Sequence, residues 1–114
     1  MEDQLREETE ALVGPTRSEA GCLNYDLHQG MGDPSLLIFY ENWRSQQDLQ
    51  EHLKKPYITE WFEKTERLRE GEVEIKRLKM VSTPNAGTAG ILTLLLLLLR
   101  EASSGWPLQR IFAR

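Results

Sequence analysis

From Cys22 to His28 (CLNYDLH) apolar and polar residues alternate without a break. Leu23, Tyr25 and Leu27 fall on one face, and Cys22, Asn24, Asp26 and His28 on the other. A strict period of two commits this segment to a half-buried strand and excludes a helix. The next stretch, QGMGDP, carries two glycines and a proline and reads as a turn. Leu36 to Trp43 (LLIFYENW) comes next as a second strand, apolar on both faces as far as Tyr40 and therefore central. Strands joined by so short a connection form an antiparallel hairpin.

Helices flank this hairpin. Residues 2–13 read as a polar helix with a thin apolar edge (Leu5, Leu12, Val13), ended by Gly14-Pro15. Ser45 and Asp48 make an S-x-x-D cap, so a helix starts near Gln46, with Leu49 and Leu53 facing the core and His52 on the same flank. Pro56 interrupts it, and helical spacing resumes from Tyr57 to Arg69 until Gly71 stops it. Val73 to Met80 alternates again and reads as a last strand.

After residue 81 the composition changes. STPNAGTAG resembles a linker, ILTLLLLLL is an unbroken apolar run, and a mixed tail ends the chain. A bilayer-spanning helix needs about 20 apolar residues, so this run is too short. Contiguous leucines have no amphipathic period, which argues against membrane contact through the tail and for packing or aggregation. The expected division is a domain over 1–81 and a linker with a leucine-rich tail over 82–114.

A chain of 114 residues supports one core. A net charge of -4 supplies no basic surplus for nucleic acid. Cys22 is the only cysteine, which excludes an internal disulfide and a Cys-rich zinc site. The acidic N-terminus (MEDQLREETE) has no secretory character, so the expected location is cytoplasmic. His28 and His52 are not at metal-ligand spacing, and no nicotinamide, flavin or phosphate-loop fingerprint occurs, so neither metal nor cofactor is expected.

GCLNYDLH, LLIFYENW and the helix S-x-x-x-L-x-x-H-L-x-x-P-Y together resemble the antibiotic biosynthesis monooxygenase (ABM) family, most closely its quinol monooxygenase-like members. The resemblance runs from about Thr9 to Met80. It implies an α+β ferredoxin-like fold (a dimeric α/β barrel) with an antiparallel sheet, and a homodimer. Family members begin with an apolar strand that lies centrally in the sheet. This chain reads as lacking that strand, as a truncated product would, and its sheet must close up or borrow one.

The resemblance also implies roles for particular residues. Trp43 matches a tryptophan lining the family pocket, and His52 matches the His of the His-Leu motif, whose ordinary pKa suits it to accept a proton. Glu41 shares the face of Trp43, where it would anchor His52 or bond a ligand. Asn42 lies on the opposite face and would cap or bind. Tyr57 and Trp61, on a helical aromatic stripe, would be walls or plain core. Some family enzymes carry an Asn four residues before this Trp and a Tyr six residues after it; here those positions hold Phe39 and Leu49.

The implied activity is cofactor-independent oxidation by O₂ of a small aromatic or quinol-like molecule. The catalytic pair would be His52 and Glu41, with Trp43, Asn42, Tyr57 and Trp61 binding substrate. The alternatives are a non-catalytic ligand-binding or dimerisation module, and an isomerase of a small phosphorylated sugar-like compound.

Overall fold

The structure, a computed structural model, describes residues 4–82 and 93–102, with the backbone alone at 93–96. The linker reading at 83–90 and the tail beyond residue 102 lie outside the described residues.

The N-terminal helical segment divides at Ala11-Leu12 into α1 (Gln4–Glu10) and α2 (Val13–Arg17). Gly14-Pro15 therefore does not end the helical segment but sits inside its second piece. Proline is tolerated within the first turn of a helix, where its missing N–H has no partner to lose. The expected hairpin forms as β1 (Cys22–Gln29) and β2 (Leu36–Trp43), antiparallel, with Tyr25 opposite Glu41 and Leu27 opposite Phe39. In α3 (Gln46–Leu53) the Ser45 hydroxyl accepts from Asp48 N at 3.1 Å, the cap expected from S-x-x-D. Pro56 opens α4 (Pro56–Thr65), and a short 3₁₀ turn, Glu66–Leu68, leads to Gly71 at φ 73°. β3 (Glu74–Leu78) comes after it.

The leucine run then departs from expectation. Thr93–Arg100 forms a strand, β4, inside the same sheet, whose order is β1-β2-β4-β3. It runs antiparallel to both neighbours, with Leu97 opposite Phe39 on one side and Ile75 on the other. The sheet thus continues past the expected boundary at residue 81. β4 occupies the central place that the βαββαβ plan gives to its first strand, and pairs the inner edges of β2 and β3. Pairing on both edges satisfies the backbone of this run; of its described side chains, Leu97 and Leu99 are buried on the helix face and Leu98 is half-buried on the other. Its end is tied down: Glu70 N donates to Arg100 O and Ala102 N to Leu68 O, each at 2.8 Å.

Helices cover one face of the sheet. Tyr25, Leu37, Phe39, Trp43, Leu97 and Leu99 point into that layer and meet Leu5, Leu12, Leu49, Ile58 and Trp61 in one core. The architecture is α+β and ferredoxin-like, with a four-stranded antiparallel sheet.

One register irregularity decides which side chains at the start of β1 face the helices. Cys22 pairs with Trp43 and Asn24 with Asn42, so Leu23 is an extra residue in a β-bulge. The bulge shifts the alternation by one. Cys22 turns to the helix face and packs against the core, while Leu23 is left 45% exposed. Strict alternation assigns them the reverse.

Candidate functional site

The helix face of the hairpin brings several sequence-singled residues together. Glu41 and Trp43, two residues apart on β2, point the same way, and the Trp43 indole N–H donates to Glu41 Oε1 at 2.9 Å. His52, one turn after Leu49 on α3, lays its ring against Trp43 with centroids 4.6 Å apart. Tyr25 meets that imidazole edge-on at 5.5 Å and stacks on Phe39 at 4.4 Å. His52 and Glu41 are 2% and 0% exposed.

The carboxylate that holds His52 is Glu19, a residue that sequence reasoning did not single out. Its Oε2 lies 2.9 Å from His52 Nδ1 and also accepts a hydrogen bond from the Tyr57 hydroxyl. Glu19 sits between α2 and β1, 33 residues before His52. No local pattern marks it; only the packing of α3 and α4 over the start of β1 brings the three together. Glu41, expected to anchor His52 or bond a ligand, is not the partner of His52 but accepts from the Trp43 indole.

An anionic acceptor at Nδ1 fixes the imidazole tautomer, with the proton on Nδ1 and the lone pair on Nε2. Burial lowers the His52 pKa, while the hydrogen bond and charge of Glu19 oppose that shift and Lys55 adds to it. The neutral, proton-accepting form is thus favoured near neutrality. Glu41 is pushed the other way. Burial raises its carboxyl to about 7, the Trp43 bond lowers it and the Glu19 charge raises it. Its Oε2 is buried with no hydrogen-bond partner among the described residues. An ionised carboxylate there would be poorly solvated, which is the physical reason for the shift. Cys22 borders the same group: burial, then the charges of Glu41 and Glu19, push its thiol up to about 11. A thiol held protonated is a poor nucleophile.

Two residues of the expected set lie elsewhere. Asn42 is on the opposite sheet face, where its amide donates to Asn24 Oδ1 at 3.0 Å across the hairpin. Trp61 packs between α4 and α1, donating to Thr9 Oγ1 at 3.1 Å and lying beneath the Arg69 guanidinium at 5.6 Å. With Tyr57 it borders a small outer cleft of about 120 Å³, below the range of small-molecule pockets. A larger open cleft of about 570 Å³ lies between α1–α2 and the hairpin's turn end, and borders neither Trp43 nor His52. No group of three or more His, Cys, Asp or Glu side chains among the described residues could hold a metal ion. No helix among them is long and apolar enough to cross a membrane.

Comparison with known proteins points in the same direction. A family model described as antibiotic biosynthesis monooxygenase matches residues 1–64, just over half the chain. The chain is 32% identical over 75 residues to an uncharacterised protein of Synechocystis sp., sll1783, covering 66% of this chain and 51% of that protein. It is 40% identical over 53 residues to a Mycobacterium tuberculosis protein named "Putative monooxygenase Rv0793", covering 46% of this chain and 52% of that one. The chain spans about half the length of the curated relatives it matches. No solved structure matches.

Proposed function

The chain belongs to the antibiotic biosynthesis monooxygenase family, and from that premise we propose that it oxidises a small aromatic or quinol-like substrate with O₂ and without a cofactor. The observation that carries the reading is the Glu19–His52–Trp43 arrangement. It is a neutral imidazole with its lone pair on Nε2, held by a half-buried carboxylate and flanked by an indole. In the proposed reaction His52 Nε2 accepts a phenolic proton. The resulting phenolate is electron-rich enough to reduce O₂, one oxygen atom enters the ring to give a hydroxyquinone, and the other leaves as water. Glu19 is the positioning residue that keeps the tautomer and shares the imidazolium charge. Glu41, which burial keeps partly protonated near neutrality, donates or accepts at the ring oxygens, and Trp43 and Tyr57 act as walls.

The working form in this reading is a homodimer. The sheet face away from the helices carries partly buried Ile38 and Leu98 beside exposed Tyr40 and Leu78, the kind of surface that a second sheet covers.

Oxygen uptake and product mass with a panel of hydroquinones test the proposal. The expected result is uptake above background, one labelled oxygen from ¹⁸O₂ in the product, and loss of both in His52→Ala. No uptake, or uptake unchanged by His52→Ala, overturns it. One observation favours a second reading, a non-catalytic ligand-binding module: His52 is 2% exposed, and the larger cleft does not reach it. Ligand binding without oxygen consumption would select that reading.

A further inference from the structure

The 570 Å³ cleft lies in the size range of small-molecule sites and is separate from the His52 cluster. Its walls are chemically divided. Val13, Leu27 and Leu37 give it an apolar floor, and Arg6, Arg17 and His28 stand around it. Leu27 and Leu37 share the helix face with Phe39, and Leu27 pairs with Phe39 across the hairpin. The Tyr25–Phe39 stack therefore stands between this floor and the His52 imidazole.

The state of Arg17 indicates what the cleft would bind. Its Nε donates to Tyr25 O at 3.1 Å and its Nη2 to Asp26 Oδ1 at 2.8 Å. Those two bonds fix the plane of the guanidinium. Nη1 has no hydrogen-bond partner among the described residues. A fixed arginine with one nitrogen unused forms a charge-assisted bond with little further ordering cost. Arg6 is paired with Glu10 at 3.3 Å in an exposed i,i+4 contact, worth little by itself. Glu10 also lines the cleft, and its carboxylate opposes the accumulation of negative charge there. One available nitrogen on an arginine already paired with Asp26, the Glu10 carboxylate nearby and an apolar floor select a ligand with no more than one negative charge and a flat or branched apolar body. They disfavour a phosphate ester, which carries more charge than Arg17 can match.

We propose that this cleft is a binding site for a small hydrophobic carboxylate, with the carboxylate on Arg17 and the apolar body over Leu27 and Leu37. The site requires neither reading of the His52 cluster.

The test titrates the full chain with 2-naphthoate and, separately, with neutral 2-naphthamide of the same shape. Binding is read by calorimetry and by methyl shifts of the leucines. Naphthoate is expected to bind about tenfold to a hundredfold tighter than the amide, the worth of a hydrogen bond to a charged group. The largest shifts are expected at Leu27 and Leu37. Arg17→Gln should remove the discrimination between the two probes. Because Arg17 also anchors Tyr25 O and Asp26, Val13→Trp provides a second variant. It leaves those bonds intact, fills the floor, and should weaken both probes at least about tenfold. Equal affinity for the two probes, no binding of naphthoate, shifts confined to another surface, or undiminished binding in Val13→Trp overturns the proposal.

Discussion

Glu41 makes the stability of this fold depend on pH in a direction that one substitution can isolate. Its carboxyl is 0% exposed and is raised from 4.5 to about 7, with burial as the largest cause. Below pH 4.5 both the folded and the unfolded chain hold the proton, and the shift costs nothing. Between 4.5 and about 7 the unfolded chain releases the proton while the folded chain keeps it, so stability falls as pH rises. Above about 7 both are ionised and the full penalty remains, about 3 kcal/mol. In Glu41→Gln the amide oxygen still accepts from Trp43 Nε1, and nothing titrates. The amide's own burial cost is the same at every pH and drops out of a comparison between two pH values. Relative to the unsubstituted chain, Glu41→Gln should therefore gain about 2.5 kcal/mol on going from pH 5 to pH 8, which corresponds to roughly 10 °C in Tm for a chain of this size. His52, whose pKa is lowered, contributes the opposite slope below its ordinary 6.5, but it does so in both proteins and cancels in the first approximation. Urea unfolding of the two proteins at pH 5 and pH 8 measures the difference. An equal difference at both pH values would refute a buried, high-pKa Glu41.

Glu19→Gln removes the two influences that raise the His52 pKa and leaves burial unopposed, so the imidazole should titrate at lower pH than in the unsubstituted chain. NMR titration of the His52 ring protons reads this directly, and an unchanged or higher pKa would contradict the assigned partner. Leu97→Ala and Leu99→Ala, at positions 6% and 3% exposed, should each cost about 2–5 kcal/mol in denaturant unfolding. Deletion of everything after Ser82 should leave the inner edges of β2 and β3 unpaired and give an aggregating, non-cooperative chain; a cooperative, monodisperse product would show that β4 is dispensable. Gly21→Ala should destabilise by about 1–3 kcal/mol, because its new Cβ would collide with the Asp48 side chain at the start of α3, and thermal unfolding would detect it.

Much of the scaffold was legible in the sequence. The alternation of CLNYDLH, the turn residues QGMGDP and the Ser45–Asp48 cap are local signals whose outcome depends on neighbours a few residues away. They place the hairpin and the capped helix nearly to the residue, and with the His-Leu and Glu-x-Trp pairs they identify the family. The placing of three expected residues on one layer came with them, because Glu41 and Trp43 share a strand face by parity and His52 shares a helix face with Leu49. The bulge at Leu23 was not legible. An alternating pattern carries no mark of one extra residue, and the opposed pairing with Trp43 and Asn42 decided where Cys22 points.

The remaining features belong to the tertiary structure. A run of leucines suits a buried helix, a partner contact or a central strand equally well in sequence. Two unpaired sheet edges, on β2 and β3, made the central strand the arrangement that satisfies the most backbone hydrogen bonds. The same kind of long-range closure selected Glu19 over Glu41 as the partner of His52. Both are carboxylates, but only Glu19 has its oxygen within 2.9 Å of Nδ1 once α3 packs over the beginning of β1. The sequence determined which elements form and to which family they belong. Tertiary packing, through contacts tens of residues apart, decided which strand completes the sheet and which acid holds the histidine.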